Sequence, residues 1–290
     1  MIQRNNNLSV LPFYQNVDEQ NHRKPYAYGE KYPLYTPLGS VPPFQLIIPH
    51  TTATISTVVL YDAHTSQSQD IKAVLTAGGL TTKTFATDGY DIILYPAIAP
   101  QNITIHEGQY YIRIGLSNGD IYTSDIFTVV GDVSGMIQVI WYDYEDLVMD
   151  GGRIAYSDGF KNHLWLATLL GKPEYEFEEE GETRDGYFFP QKMISEKKYK
   201  CTFLAPEYLC DVMRFIRLSD VVVVRDNYGN EYRCDTFLIT PKWEEQGDLA
   251  SVEVEFTCDT VAKKIGRGYV IGNLGDYNDD YNNDYDITNS

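Results

Sequence analysis

A chain of 290 residues with 43% apolar side chains has room for one large or two ordinary domains and enough apolar surface to bury a core. Its 41 acidic against 23 basic side chains leave a net charge of −18. That balance counts against binding a polyphosphate backbone or an anionic membrane surface, since both need clustered Lys and Arg. No stretch of about 18 apolar residues is present to span a membrane, and the opening MIQRNNNLSVLPFYQN has neither the apolar centre of a secretory signal nor a lipobox cysteine.

Residues 1–40 read as an extended arm, poor in aliphatic side chains but carrying an aromatic ladder of Phe13, Tyr14, Tyr26, Tyr28, Tyr32 and Tyr35. A flexible leader is the plain alternative, yet disordered tails are short of aromatics. Such a segment is too polar to form a core and is expected to lie on another surface, where Tyr offers large contact area at low entropic cost. These six residues are the candidate subunit-interface positions.

Residues 41–132 are predicted to form a β-sandwich of immunoglobulin-like size. Short β-rich runs at 44–48, 54–61, 71–75, 82–86, 90–95, 109–116 and 121–130 are separated by turn signals such as Asp88-Gly89 and Ser117-Asn118-Gly119-Asp120. The last marks a hairpin, with Tyr110, Ile112, Ile114 and Leu116 on the buried face and Tyr111, Arg113 and Gly115 on the other.

After a joint at Val133–Gly135, residues 133–268 are predicted to form a second β-rich domain with one helix packed on an antiparallel sheet or sandwich. Strands are expected at 136–142, 154–156 and 163–170. The run Glu174–Asp185, with seven acidic residues, reads as a strand passing into an acidic loop, and Gly186–Gln191 as a turn. That run is either a solvated face or a surface for a basic partner. KKYKCTFL at 197–204 alternates, and Ala205-Pro206 then opens a helix whose Leu209, Val212, Met213 and Ile216 make one apolar stripe. Val221–Val224, the Asp226–Asn230 turn, Tyr232–Thr240 and the alternating Leu249–Cys258 complete the domain. Residues 269–290 form an acidic Tyr/Asp/Asn tail of low complexity.

No catalytic constellation emerges, and the chain is expected not to be an enzyme and to need no cofactor or metal. His22, His50, His64, His106 and His163 are scattered singly. Asp143, Glu145 and Asp146 are adjacent on a loop, as solvated carboxylates usually are. Asp276, Asn278 and Asp280 imitate the start of a calcium loop but lack its glycine and its closing Glu. Cys201, Cys210, Cys234 and Cys258 fall on apolar positions and are expected to be reduced, buried thiols.

The stretch 196–260, with KKYKCTFL, APEYLCDVMRFIRLSD, VVVVRDNYGNEYRC and LASVEVEFTC, resembles the sandwich-plus-helix module of distal tail and tail-tube proteins of tailed phages. Further segments extend the resemblance to tail-associated proteins from phages and prophages of gut Bacteroides. They are LSVLPFY, HRKPYAYGEKYPL, GKPEYEFEEEGETRDGYFFPQKMISEKKY, FLAPEYLCD, FLITPKWEEQGDLASVE and TVAKKIGRGY. The resemblance implies a tail hub, distal tail or baseplate-type ring subunit, made in the bacterial cytoplasm and residing in the virion. Its partners would be copies of itself and neighbouring tail proteins, with no nucleic acid bound and no membrane insertion. The alternative expectation is a carbohydrate-binding adhesin whose first sandwich offers exposed aromatic side chains to host glycans.

Overall fold

The computed structural model describes residues 9–15, 33–97, 103–144, 147–149, 153–155, 160–244 and 249–264. Tyr26, Tyr28, Tyr32, His22, Glu145, Asp146 and the tail 269–290 lie outside that set. The chain is mainly β and divides into two compact units, 1–173 with 198–259 and 174–197 with 260–290.

Within the first unit the early elements are β1 (Phe13–Tyr14), β2 (Tyr35–Pro37), β3 (Phe44–Pro49), β4 (Ile55–Asp62), β5 (Ser68–Asp70), α1 (Lys72–Ala77), β6 (Thr81–Phe85), β7 (Tyr90–Tyr95), β8 (Gly108–Leu116), β9 (Ile121–Ser124) and β10 (Phe127–Val130). One expected strand is corrected: the run 71–75 forms the short helix α1. Ile71 and Leu75, four residues apart, are both fully buried, and the Asp70 carboxylate accepts from the Lys72 N–H at 2.9 Å just ahead of the first turn. A helix this short shows too little of its period to be told from a strand.

β3, β7 and β6 form an antiparallel three-stranded sheet. Phe44, Leu46, Ile48, Ile93 and Tyr95 join the main core, while Ile47, Ile92 and Leu94 pack with Phe160. Covering on both sides explains why β7 is buried along its whole length. The larger sheet runs β1-β9-β8-β10-β2, with β4 on the free side of β8 and β5 beyond it. The predicted β8–β9 hairpin is present, with Arg113 opposite Thr123 and Gly115 opposite Ile121.

Of the expected interface residues, Phe13 is placed differently. Phe13 is only 2% exposed, and its ring lies 4.9 Å from Phe44, joining the larger sheet to the three-stranded one. Val10, Leu11 and Leu34 are fully buried beside it. The described parts of the arm therefore add to the chain's own core. β2 pairs in parallel with β10, Tyr35 opposite Thr128, and meets β14 (Asn162–Leu166) through Tyr35 opposite Trp165.

From there the sheet continues through β11 (Ile137–Tyr142), β17 (Val221–Arg225), β18 (Glu231–Lys242) and β19 (Ala250–Lys264) to the end of β16 (Tyr187–Ala205). β12 (Leu147–Met149) and β13 (Arg153–Ala155) form a small separate ribbon. The expected joint at Val133–Gly135 lies between β10 and β11, inside the first unit, and one buried cluster runs from Val10 to Cys258. The predicted helix is α2 (Glu207–Ile216), packed on β18. Leu209, Val212, Met213 and Ile216 are all buried, with Pro206 extended just before the first turn. Val252, Val254, Phe256 and Cys258 on β19 are fully buried, as their alternation requires.

The second unit holds β15 (Glu174–Arg184), hydrogen-bonded to β16, whose residues up to Lys197 belong to it. Asp185 and Gly186 connect the two strands with φ values of 51° and 81°, the left-handed pair of a two-residue hairpin turn. Two expectations are corrected here. The acidic run stays strand from Glu174 to Arg184 instead of passing into a loop, and of Gly186–Gln191 only Gly186 is in the turn.

Candidate functional site

Several of the described groups with possible chemistry are engaged structurally. Among the described residues no three His, Cys, Asp or Glu side chains converge as metal ligands. His50 Nδ1 lies 3.0 Å from the buried carboxylate of Asp91, which also accepts from the Thr51 N–H at 3.0 Å. Burial alone would raise the Asp91 pKa, but hydrogen bonds from His50, Thr51 and Thr84 outweigh it and hold the carboxyl below its usual range. This pair fastens the loop after β3 to β7.

Asp143, one of the three loop carboxylates considered from sequence, forms a reciprocal clasp with Asp220. The Asp143 carboxylate accepts from the Asp220 N–H at 3.0 Å, and the Asp220 carboxylate from the Tyr144 N–H at 2.9 Å. Burial raises the Asp143 pKa, the Asp220 N–H opposes this, and the Asp220 charge adds to it. The clasp ties the exit of β11 to the entry of β17, which is a task of positioning backbone. Burial pushes the Cys201 thiol up to about 12 and the Cys210 thiol up to about 11, so neither is a ready nucleophile.

The predicted interface residues part company. Phe13 is inside the core. Tyr14, opposite Thr123 of β9, is half-buried, and so is Tyr35, at the β10–β2–β14 crossing, where burial raises its pKa. Tyr61 and Tyr111, the aromatic pair on the first β region, are half-buried and stack on each other at 5.1 Å with Arg113 over Tyr61. They are not laid out as an open platform for a sugar.

The exposed aromatic surface lies where the sequence pointed least clearly, on the β15–β16 hairpin. Tyr175, Phe177, Tyr187, Phe188 and Phe189 are all exposed, Phe177 by 73%. Strand alternation sets Glu174, Glu176, Glu178, Glu180 and Glu182 on one face and Tyr175 and Phe177 on the other. The Glu182 carboxylate accepts from Arg184 at 2.6 Å and from Gln191 at 3.0 Å, and Glu180 lies 3.4 Å from the Lys192 ammonium. β15 ends the order of strands, so its outer row of N–H and C=O groups faces no further strand among the described residues. The clue available in sequence was the Glu-Tyr-Glu-Phe alternation running into Asp185-Gly186, a strong hairpin turn.

In the first unit a groove of ≈ 570 Å³ between α2 and β18 is lined by Glu207, Cys210, Asp211, Arg214, Ile239 and Trp243. The Trp243 ring is 47% exposed there. No family model and no curated protein sequence matches the chain.

Proposed function

We propose that the chain is a structural subunit of a bacteriophage tail, a ring component of the tail-hub, distal-tail or baseplate type that assembles with copies of itself and with adjacent tail proteins. On this reading the early β region is an immunoglobulin-sized sandwich and the later one a tail-tube or distal-tail-like module. The subunit is made in the host cytoplasm, acts in the virion and performs no catalysis. The observation that supports it most is the β15–β16 hairpin. It exposes five aromatic rings, and its outer strand β15 has no further strand beside it among the described residues. Surface of this kind is usually matched by a partner. Identical copies that bind head to tail close into rings when the rotation allows.

The test is the mass and shape of the full chain in solution, by light scattering and negative-stain electron microscopy, beside a Tyr175→Ser/Phe177→Ser variant. Closed rings of one stoichiometry are expected for the wild type. Smaller species with unchanged melting are expected for the variant. A wild type that stays monomeric at every accessible concentration would remove the ring reading. A variant that assembles as the wild type does would remove the hairpin from it.

A second reading, a glycan-binding adhesin, draws on the Trp243 groove, where an exposed indole lies among carboxylates and a guanidinium. Retention on a glycan array that Trp243→Ala abolishes would favour it.

A further inference from the structure

Cys234 and Cys258 stand directly opposite each other across β18 and β19. Immediately beyond them the register shifts between Cys234 and Thr236, after which Thr236 faces Thr257 with the two hydroxyls 2.8 Å apart. Directly opposed residues of an antiparallel pair have Cα atoms about 4.5–5.5 Å apart, within the span of about 4.4–6.8 Å that a disulfide bridges. Both side chains belong to the core side. Cys258 is fully buried in line with Phe256 and Val254, and Cys234 is half-buried against the same cluster. The two differ in access, because Cys234 also lines a cleft of ≈ 380 Å³ with Arg217, Ser219, Asp220, Val222 and Phe237. The other two cysteines lie on different elements, Cys201 on β16 and Cys210 on α2. No disulfide links any of the four.

We propose that Cys234 and Cys258 form an oxidation site, a cross-strand disulfide entered through the cleft at Cys234 by a small-molecule disulfide. The Cys234 thiolate attacks one sulfur of an oxidised-glutathione-type disulfide. That S–S bond breaks, a mixed disulfide forms on Cys234, and the first small thiolate leaves. The Cys258 thiolate then attacks the Cys234 sulfur and expels the second. Two protein thiols are oxidised and one small disulfide is reduced to two thiols, which carry off the two protons the protein thiols lost.

The surroundings set the pace. Burial, then the neighbouring Cys258, raise the Cys234 pKa; a hydrogen bond from the Val224 N–H opposes them and the Asp235 charge adds to the rise. Thiolate is therefore scarce at neutral pH, and the exchange is slow and quickens as pH rises. A reducing cytoplasm keeps the pair as dithiol while the chain folds. A chain that later meets oxidising surroundings acquires a covalent tie between β18 and β19 beside the irregularity. This inference does not depend on the assembly reading.

The experiment treats the native full-length protein with oxidised glutathione near neutral pH and at about pH 8.5, then blocks remaining thiols and maps peptides without reduction. The expected product is one linked pair, Cys234 with Cys258, lighter by two hydrogens, formed faster at the higher pH. Cys201 and Cys210 remain alkylatable after unfolding. Melting should rise by on the order of 5 °C, as closing a loop of this length predicts, and Cys234→Ser should show no such rise. A Cys201→Ala/Cys210→Ala variant repeats the measurement with the pair alone. If that variant fails to fold, the wild-type map carries the decision. The proposal is overturned if the folded protein keeps both thiols at both pH values. It is equally overturned if Cys234 stops at the mixed disulfide, or if Cys258 links only to another molecule.

Discussion

His163 provides a quantitative test of the packing between β7 and β14. It sits on β14 opposite Ile140, and its Nε2 donates to the Ala97 carbonyl, just past β7, at 3.0 Å. Nδ1 is enclosed with no hydrogen-bond partner among the described residues. Burial is the main reason its pKa falls from 6.5 to about 4; the Ala97 bond opposes the fall and the Arg225 guanidinium adds to it. In the unfolded chain the imidazole returns to roughly 6.5. Between those two values the unfolded chain holds a proton that the folded chain does not. Stability due to neutral His163 is thus complete above about pH 6.5 and drains away as pH falls toward about 4. A gap of about 2.5 pKa units, at about 1.4 kcal/mol each, makes the whole effect about 3.5 kcal/mol. Urea unfolding should be followed from about pH 7 to about pH 4.5 for the wild type and His163→Gln. Carboxylates titrate in both, so they cancel in the difference. The wild type should lose about 2–3 kcal/mol more than the variant over that range. Parallel curves would refute the argument, because they would mean the ring is protonated at no cost in the folded state.

Two further outcomes follow from the packing and the turns. Phe13→Ala should cost about 3–5 kcal/mol in urea unfolding, because the ring fills the junction between the two sheets; a cost within experimental error would show that this segment does not belong to the core. The Asp226 carboxylate accepts from the backbone N–H groups of Tyr228 and Asn230, each at 2.9 Å. Asp226→Ala should therefore cost about 1–2 kcal/mol, with the loss sensed at the β17–β18 hairpin by hydrogen exchange; unchanged protection there would discount the turn's role.

Elements whose period repeats within the element itself were legible in the sequence. The stripe from Leu209 to Ile216 specifies one buried helix face, and Val252 to Cys258 specifies one buried strand face. The turns at Asn118-Gly119 and Asp226–Asn230 set their own hairpins through local hydrogen bonds. What escaped depends on distant partners. β2 is three residues long, and its place is decided by β10, far downstream, and by β14, neither of which leaves a mark on the residues of β2. Phe13 reads as one rung of the aromatic ladder of a polar arm, and only the packing of Phe44 against it, from a strand some thirty residues on, makes it a core residue. The full length of the acidic strand escaped for another reason. The alternation of Tyr175 and Phe177 shows its start as strand, but Glu is a poor strand former, so the Glu-rich remainder reads as loop.

The charge on β15 also bears on the kind of contact its edge can make. Were two copies to join edge to edge about a two-fold axis, each β15 would meet itself in antiparallel register. Glu would then stand opposite or diagonal to Glu along most of the strand, which destabilises cross-strand pairs. Tyr175 and Phe177 alone would have to offset that repulsion. A contact in which β15 meets a different surface of the neighbour avoids it, since no symmetry then forces Glu against Glu. The acidic edge thus acts as a barrier to the isologous dimer while the aromatic positions remain sticky. Under the assembly reading, this selects a head-to-tail contact, and head-to-tail contacts between identical copies are the ones that close into rings.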